Sequence, residues 1–193
     1  MNNRGFGWIL CIVGGIILIY LVWDTYFANE VEYVVAPLDG RTYLVRSLPN
    51  KEEAANLLAE VRDRCERLIA HLSKKYPNDH RVIMLADNFQ PDKLSEGADN
   101  SKYTSYSINK GESIVFCLRQ KDKDKTLIDI NTIMFVTLHE LAHLGTDEIG
   151  HTPTFWDNMR FFVDESVDVG IYTKVDYKTK PVDYCGITIK SVP

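Results

Sequence analysis

The stretch HELAH at residues 139 to 143 constrains this chain most, because it lies inside a segment that is apolar almost all round. That segment begins near Asn131 or Thr132, either of which can cap a helix, and it ends at a glycine, so it predicts a buried helix. Histidines four residues apart lie on one helical face, so His139 and His143 can both reach one metal ion. We therefore expect a metal-binding helix in the interior of the protein.

Glu140 and a third histidine extend this motif. The carboxylate of Glu140 lies one step round the helix from His139, where a general base for a metal-bound water is needed. His151 follows in a glycine-containing turn that can bring its imidazole to the ion, and Glu165 on the next helix is the alternative third ligand. The sequence favours His151, because a third imidazole completes a ligand set that zinc prefers.

The rest of the chain predicts an α+β fold. The stretch VEYVVAPLDGRTYLVRSL predicts two strands joined at Asp39 and Gly40, and apolar residues at helical spacing predict a long helix between Asn50 and Pro77. RVIML is expected to be a short buried strand, and the polar stretch at residues 86–102 is expected to be a loop.

Further elements are predicted on both sides of the HELAH helix. The segment TSYSINKGESIVFCLR predicts a hairpin that turns between Asn109 and Gly111. Thr152 and Pro153 are typical of a helix start, and the following helix is expected to run to Gly170. The tail after it is expected to be extended and irregular, with at most one short strand.

An apolar run near the start of the chain predicts a membrane anchor. The run from Gly5 to Trp23 contains no charged residue and would be roughly 28 Å long as a helix, close to the thickness of a bilayer core. A cleaved signal peptide and a buried core helix are the alternatives. The preferred interpretation is a single-pass membrane protein with an anchor at residues 1–28 and a domain at residues 29–193, whose side of the membrane is left open.

The charge of the chain restricts the binding partners that we expect, and its cysteine content restricts the possible disulfides and metal ligands. The formal net charge is −5, and no basic stripe is visible, so direct nucleic-acid binding is not expected. Protein or peptide substrates are expected instead. Of the cysteines, Cys65, Cys117 and Cys185 lie in the domain, an odd number that cannot all pair internally. Cys117 or Cys185 could serve as a fourth ligand if the metal were only structural.

HELAH followed by GHTPTFW resembles the motif of the WLM (Wss1-like metalloprotease) and SprT-like metallopeptidases, including WLM-domain proteins encoded by large DNA viruses and algae. This resemblance implies a small zincin-like domain built from a long helix, a mixed sheet with an edge hairpin, the HExxH helix and a C-terminal helix. It implies zinc ligands at His139, His143 and His151, with Glu140 as the catalytic base. It also suggests that the strand at residues 113–118 borders the cleft, where an extended substrate could add to the sheet.

Three function classes remain open at this point. The preferred one is a membrane-tethered, zinc-dependent metallopeptidase that hydrolyses peptide bonds by Glu-assisted attack of a zinc-bound water. The second keeps the metal for structure only. The third is a zinc-binding, catalytically inactive interaction module on a zincin fold, because a fold does not guarantee activity.

Overall fold

The computed structural model describes residues 12–22, 30–99 and 104–190. The elements in chain order are a helical segment α1 at residues 12–22, strands β1 (Val31–Val35) and β2 (Thr42–Arg46), helices α2 (Lys51–Lys75) and α3 (His80–Asn88), a short 3-10 turn (Pro91–Lys93), strands β3 (Leu94–Glu96), β4 (Ser105–Ile108) and β5 (Ser113–Phe116), helices α4 (Ile130–Leu144) and α5 (Pro153–Asp168), and strands β6 (Val182–Tyr184) and β7 (Ile187–Ile189). The predicted α+β class is confirmed.

The first five strands form one mixed sheet with the order β1-β2-β3-β5-β4. β1 pairs with β2, and β4 pairs with β5, as antiparallel hairpins, whereas β3 pairs in parallel with both β2 and β5. α2 packs against β1, β2 and β3, and α4 lies between α2, α3, α5 and β4. β4 therefore forms the edge of the sheet that faces the HELAH helix.

The predicted membrane anchor is wrong. Within the part of the chain that the structure describes, no helix is both long enough and apolar enough to cross a membrane. The remainder of the run between Gly5 and Trp23 lies outside the described residues.

Two segments differ from their predicted secondary structure. RVIML belongs to helix α3, because Asp79 caps that helix by accepting a hydrogen bond from the backbone N–H of Arg81. The stretch predicted as a loop at residues 86–102 contains β3, in the middle of the sheet. Glu96 of β3 is buried against the guanidinium of Arg119, at 2.7 Å from its Nε atom. Such long-range pairing leaves no local signal in the sequence.

The C-terminal tail also holds more structure than expected. β6 and β7 form a second, two-stranded antiparallel sheet that turns at Cys185 and Gly186, both at positive φ. A disulfide joins Cys185 to Cys117, just after β5, which attaches the hairpin to the main sheet. Cys65 is free and buried. Among the described cysteines one thiol is therefore left over, in agreement with the odd number of cysteines in the domain.

The β4–β5 turn fixes the position of the edge strand. Asn109, Lys110 and Gly111 all have positive φ, and Gly111 has φ +111°. A Cβ atom at Gly111 would lie 2.2 Å from the backbone oxygen of Asn88, at the end of α3. The Asn88 side chain in turn donates a 2.9 Å hydrogen bond to the carbonyl of Leu144, the last residue of α4. The hairpin tip thus sits against the end of the HELAH helix because glycine permits the contact.

Gly111→Ala is expected to destabilise the protein more than Gly40→Ala. Both glycines have positive φ, which costs roughly 1–2 kcal/mol for a residue with a Cβ atom, but the space around Gly40 is open. The difference between their urea unfolding free energies measures the contact with α3. Equal losses would show that the hairpin tip is not held against α3.

Glu165 of α5 ties that helix to α2. Its carboxylate, whose side chain is 8% exposed, accepts hydrogen bonds from Tyr76 at 2.6 Å and Lys75 at 2.9 Å, and lies 3.0 Å from His71 Nε2. Burial raises the pKa of Glu165, but the hydrogen bonds from these three residues outweigh it and hold the pKa below its ordinary value. Glu165 is therefore a structural carboxylate between two helices.

Glu165→Gln is expected to lower the free energy of unfolding by about 1–3 kcal/mol near neutral pH. Because the folded-state pKa is lowered, the stabilisation by Glu165 is present above its ordinary pKa and is lost as the pH falls through the folded-state value. Urea unfolding of both proteins at several pH values should therefore show a difference that shrinks in acid. A pH-independent difference would contradict this role of the charge.

Candidate metal centre

α4 presents its polar residues on one face. Asp129 caps the helix by accepting a hydrogen bond from the backbone N–H of Thr132, so the helix starts slightly before the predicted Asn131 or Thr132 cap. His139 and His143 are partly buried, and Glu140 is only 5% exposed. These groups lie on a helix that is otherwise among the most buried elements of the protein, as the sequence predicted.

His151 returns to this face from the loop after α4. Its Nε2 atom lies 3.0 Å from Nε2 of His139, and one ligand atom from each of His139, His143 and His151 lies within 4.8 Å of the others. Two nitrogens bound to one tetrahedral ion at about 2.0–2.1 Å lie roughly 3.3 Å apart. The three imidazoles are therefore close to the spacing that one metal ion requires, and they form the one such cluster among the described residues.

The chain reversal that delivers His151 is held at both ends. Asn158 of α5 donates hydrogen bonds to the carbonyl of Gly145 at 3.0 Å and to the hydroxyl of Thr146 at 2.8 Å. Thr152, directly after His151, caps α5 by accepting a hydrogen bond from the backbone N–H of Phe155. The predicted start of this helix at Thr152 agrees with the structure, and it fixes His151 one residue before a rigid element.

Phe155 supports all three imidazoles. Its ring is fully buried, and its centroid lies 4.9 Å from that of His139, 4.4 Å from His143 and 4.7 Å from His151. Trp156 stacks at a tilt beside His151, at 5.5 Å. Phe155 and Trp156 of the motif thus form an apolar surface under the histidine cluster, and this surface limits the orientations of the imidazole rings.

Burial and mutual repulsion keep the imidazoles of His139 and His143 neutral. Burial first, and then the proximity of His143 and His151, lower the pKa of His139 to about 3. The pKa of His143 falls to about 4 for the same reasons, burial first and His151 second. Neutral imidazole is the form that binds metal ions, so His139 and His143 can bind a cation without prior loss of protons. Three nitrogen donors of this kind suit zinc.

Glu140 contacts the edge strand. Burial raises the pKa of its carboxyl to about 7, while hydrogen bonds from the hydroxyl and backbone N–H of Ser107 act in the opposite direction. Ser107 belongs to β4, so the edge strand and Glu140 are connected directly. Sequence analysis missed Ser107, although its place in a predicted hairpin strand was the available signal.

A cleft of about 350 Å³ opens over the cluster, between β4 and the loop that carries His151. The strand that borders it is β4, whereas β5, which contains most of residues 113–118, lies inside the sheet between β3 and β4. The expectation that the strand at residues 113–118 forms this border is therefore wrong by one strand. The resemblance to the WLM and SprT-like enzymes suggested this strand, and the hairpin pattern in the sequence does not reveal which arm lies at the edge.

The other candidate ligands lie elsewhere. Glu165 is bound to α2, as described above, and is not part of the histidine cluster. Cys117 and Cys185 are joined in a disulfide, so neither supplies a fourth thiolate ligand. His80 pairs with Asp147 on the surface, at 2.9 Å. The structure thus brings together His139, Glu140, His143 and His151.

Comparisons with known proteins place this arrangement in a family. Residues 37–181 match the profile of the WLM domain. The chain is 38% identical over 165 residues to an uncharacterized protein of Acanthamoeba polyphaga mimivirus, covering 83% of each chain, and 38% identical over 96 residues to an uncharacterized protein of Invertebrate iridescent virus 6, covering 48% of each. The crystal structure of Wss1 from Saccharomyces cerevisiae has a similar fold, with a TM-score of 0.50 and 22% identity over 65% of this chain and 87% of that one. The α+β domain with the HELAH helix and His151 therefore belongs to the WLM family.

Proposed function

We propose that this chain is a zinc-dependent metallopeptidase that hydrolyses peptide bonds of protein or peptide substrates. The observation that carries the proposal is the convergence of three imidazoles beside a buried carboxylate at the edge of a sheet. His139, His143 and His151 would hold the ion, and Glu140 would act as general base and acid. The similarity with Wss1 concerns the fold, so the chemistry is argued from this site.

The roles proposed for the zinc ion and for Glu140 follow from their chemistry. Zinc held by three imidazoles would lower the pKa of a coordinated water toward 7 and would polarise the carbonyl of the bond to be cut. In the loaded site the charge of the ion favours the carboxylate form of Glu140. Glu140 accepts the proton of the attacking water and then returns a proton to the leaving amine. The Ser107 hydrogen bonds orient Glu140 for both transfers.

The edge strand offers a means of binding substrate. Among the described strands, β4 pairs with β5 alone, and Ser105, Tyr106 and Ser107 of β4 line the cleft. An extended peptide can add to such an edge through backbone hydrogen bonds, which recognise no particular sequence. Because Ser107 also contacts Glu140, a peptide beside β4 passes directly next to the proposed base. This supports a peptide as the substrate in preference to a small molecule.

His151→Ala is expected to weaken zinc binding by more than the 10–100-fold typical for loss of an outer partner, because it removes a direct ligand. Glu165→Gln is the matched comparison, since it tests the alternative third ligand and should leave the zinc affinity unchanged. Competition with a chromophoric chelator measures both. Weaker zinc binding in Glu165→Gln with unchanged binding in His151→Ala would reverse the assignment.

Glu140→Gln is expected to keep one zinc ion per chain while cleavage of a denatured protein such as casein falls by about 10²–10⁴-fold, the usual contribution of a general base. The control is Glu52→Gln, which makes the same chemical change on the exposed first turn of α2. It should leave cleavage unchanged.

Two outcomes would contradict the peptidase proposal. Zinc-loaded wild-type protein that cleaves no peptide bond would leave a metal-binding module without this activity. Retained cleavage in Glu140→Gln would assign the proton transfers to another group.

A further inference from the structure

A second, smaller pocket of about 180 Å³ adjoins Glu140. It shares His139, Glu140 and Ser105 with the main cleft, but it extends away from His143 and His151. Its remaining lining consists of apolar or aromatic side chains together with Thr104. These come from α4 and from the C-terminal hairpin: Phe135, Val136, Tyr184, Ile187 and Ile189.

The two ends of the cleft therefore differ in chemistry. The end near His151 is lined by the charged Lys110 and Glu148 and by Ile149, which lies on an exposed loop and is 90% exposed. The end beside Glu140 contains two isoleucines of β7, and Ile187 remains 51% exposed. When an apolar group covers an isoleucine that is exposed in a concave site, apolar surface is removed from water and binding becomes more favourable. The pocket beside Glu140 thus favours an apolar occupant.

The wall formed by the hairpin is attached at three points. The Cys117–Cys185 disulfide joins its turn to the end of β5. The amide of Gln120 accepts a hydrogen bond from the backbone N–H of Cys185 at 3.1 Å and donates one to the carbonyl of Asp183 at 2.7 Å. The hydroxyls of Tyr184 and Ser105 lie 2.6 Å apart, which connects the hairpin to the edge strand. A wall held in this way can select among side chains.

The position of Glu140 indicates which substrate residue enters the pocket. In the proposed reaction Glu140 returns a proton to the leaving amine, so the amine must lie beside Glu140. The pocket is lined by Glu140 but not by His143 or His151, so we place it on the side of the amine. We propose that this pocket binds an apolar side chain of the residue that supplies the leaving amine, and that the disulfide holds its wall in place. This inference rests on the proposed function.

The first test measures binding without cleavage. Zinc-loaded Glu140→Gln protein is titrated with fluorescent peptides of Gly and Ala that contain one variable residue, either Leu or Asn. The Leu peptide should bind about tenfold more tightly, the scale on which an apolar pocket discriminates. Adding Ile187→Asn should reduce the ratio of the two affinities toward one. Equal binding of the two peptides by the Glu140→Gln protein would contradict the proposal that the pocket binds an apolar side chain.

The matched control for this test is Thr188→Asn. Thr188 is the exposed neighbour of Ile187 on β7, donates a hydrogen bond to Asp183 at 2.8 Å, and does not line the pocket. It receives the same new side chain and should leave the affinity ratio unchanged. An equal loss in both variants would show that the hairpin, and not the apolar wall, had been disturbed.

Cleavage of the Leu peptide by wild-type protein tests the side of the bond. Mass spectrometry should find the cut on the amino side of Leu, so that Leu supplies the new amine. A cut on its carboxyl side would overturn the assignment of the pocket. No cleavage at all would count against the proposed function, while the binding ratio would still report on the pocket, so the two failures can be told apart.

The role of the disulfide is tested with the double variant Cys117→Ser/Cys185→Ser in the Glu140→Gln background. Its affinity ratio for the two peptides should fall, because the turn of the hairpin loses its covalent attachment, while its zinc content should stay at one per chain. An unchanged ratio would show that Gln120 and Tyr184 hold the wall without the disulfide, and would overturn that part of the inference.

Discussion

The burial of α4 is the constraint on which the rest of the site depends. The helix lies between α2, α3, α5 and β4, so its orientation is determined by packing on several sides. His139, Glu140 and His143 line the cleft beside β4. Asn88 and Asn158 bind the carbonyls at its C-terminal end, which would otherwise lack partners in the interior. His139, Glu140 and His143 are consequently held by a rigid element, as a metal site requires.

The same burial determines the electrostatics of the cluster. Desolvation lowers the pKa of His139 and His143 and raises the pKa of Glu140, so all three groups favour their uncharged forms. A divalent cation reverses this preference, because it binds neutral imidazoles and stabilises a neighbouring carboxylate. The site thus disfavours protonation of His139 and His143 and favours a bound metal ion. Phe155, packed beneath the three rings, keeps solvent from that side.

Local patterns were sufficient to predict the main helices and both hairpins of the five-stranded sheet. Apolar spacing predicted α2, the HELAH segment predicted α4, and Thr152 with Pro153 predicted the start of α5. The four residues that converge at the site were also predicted, since three lie on one helix and the fourth precedes a helix cap. These features depend on neighbours in sequence, which is why they are visible without a structure.

What the sequence did not reveal depends on distant partners. RVIML is a short apolar run, for which periodicity does not distinguish a strand from a helix. β3 is only three residues long and contains one apolar residue, Leu94, and it is held by β2, β5 and the buried Glu96–Arg119 pair. The pocket beside Glu140 requires a hairpin that a disulfide spanning 68 residues attaches to the sheet. The apolar run near the start of the chain predicted a membrane-spanning helix, but no helix among the described residues is long and apolar enough to be one.

The coordination of zinc in the loaded protein tests the central claim most directly. X-ray absorption at the zinc edge should show three imidazole ligands and one further light atom at about 2.0–2.1 Å. In His151→Ala the imidazole count should fall to two. Zinc–sulfur scattering at about 2.3 Å in the wild type, or three imidazoles still present in His151→Ala, would contradict a metal centre built from His139, His143 and His151.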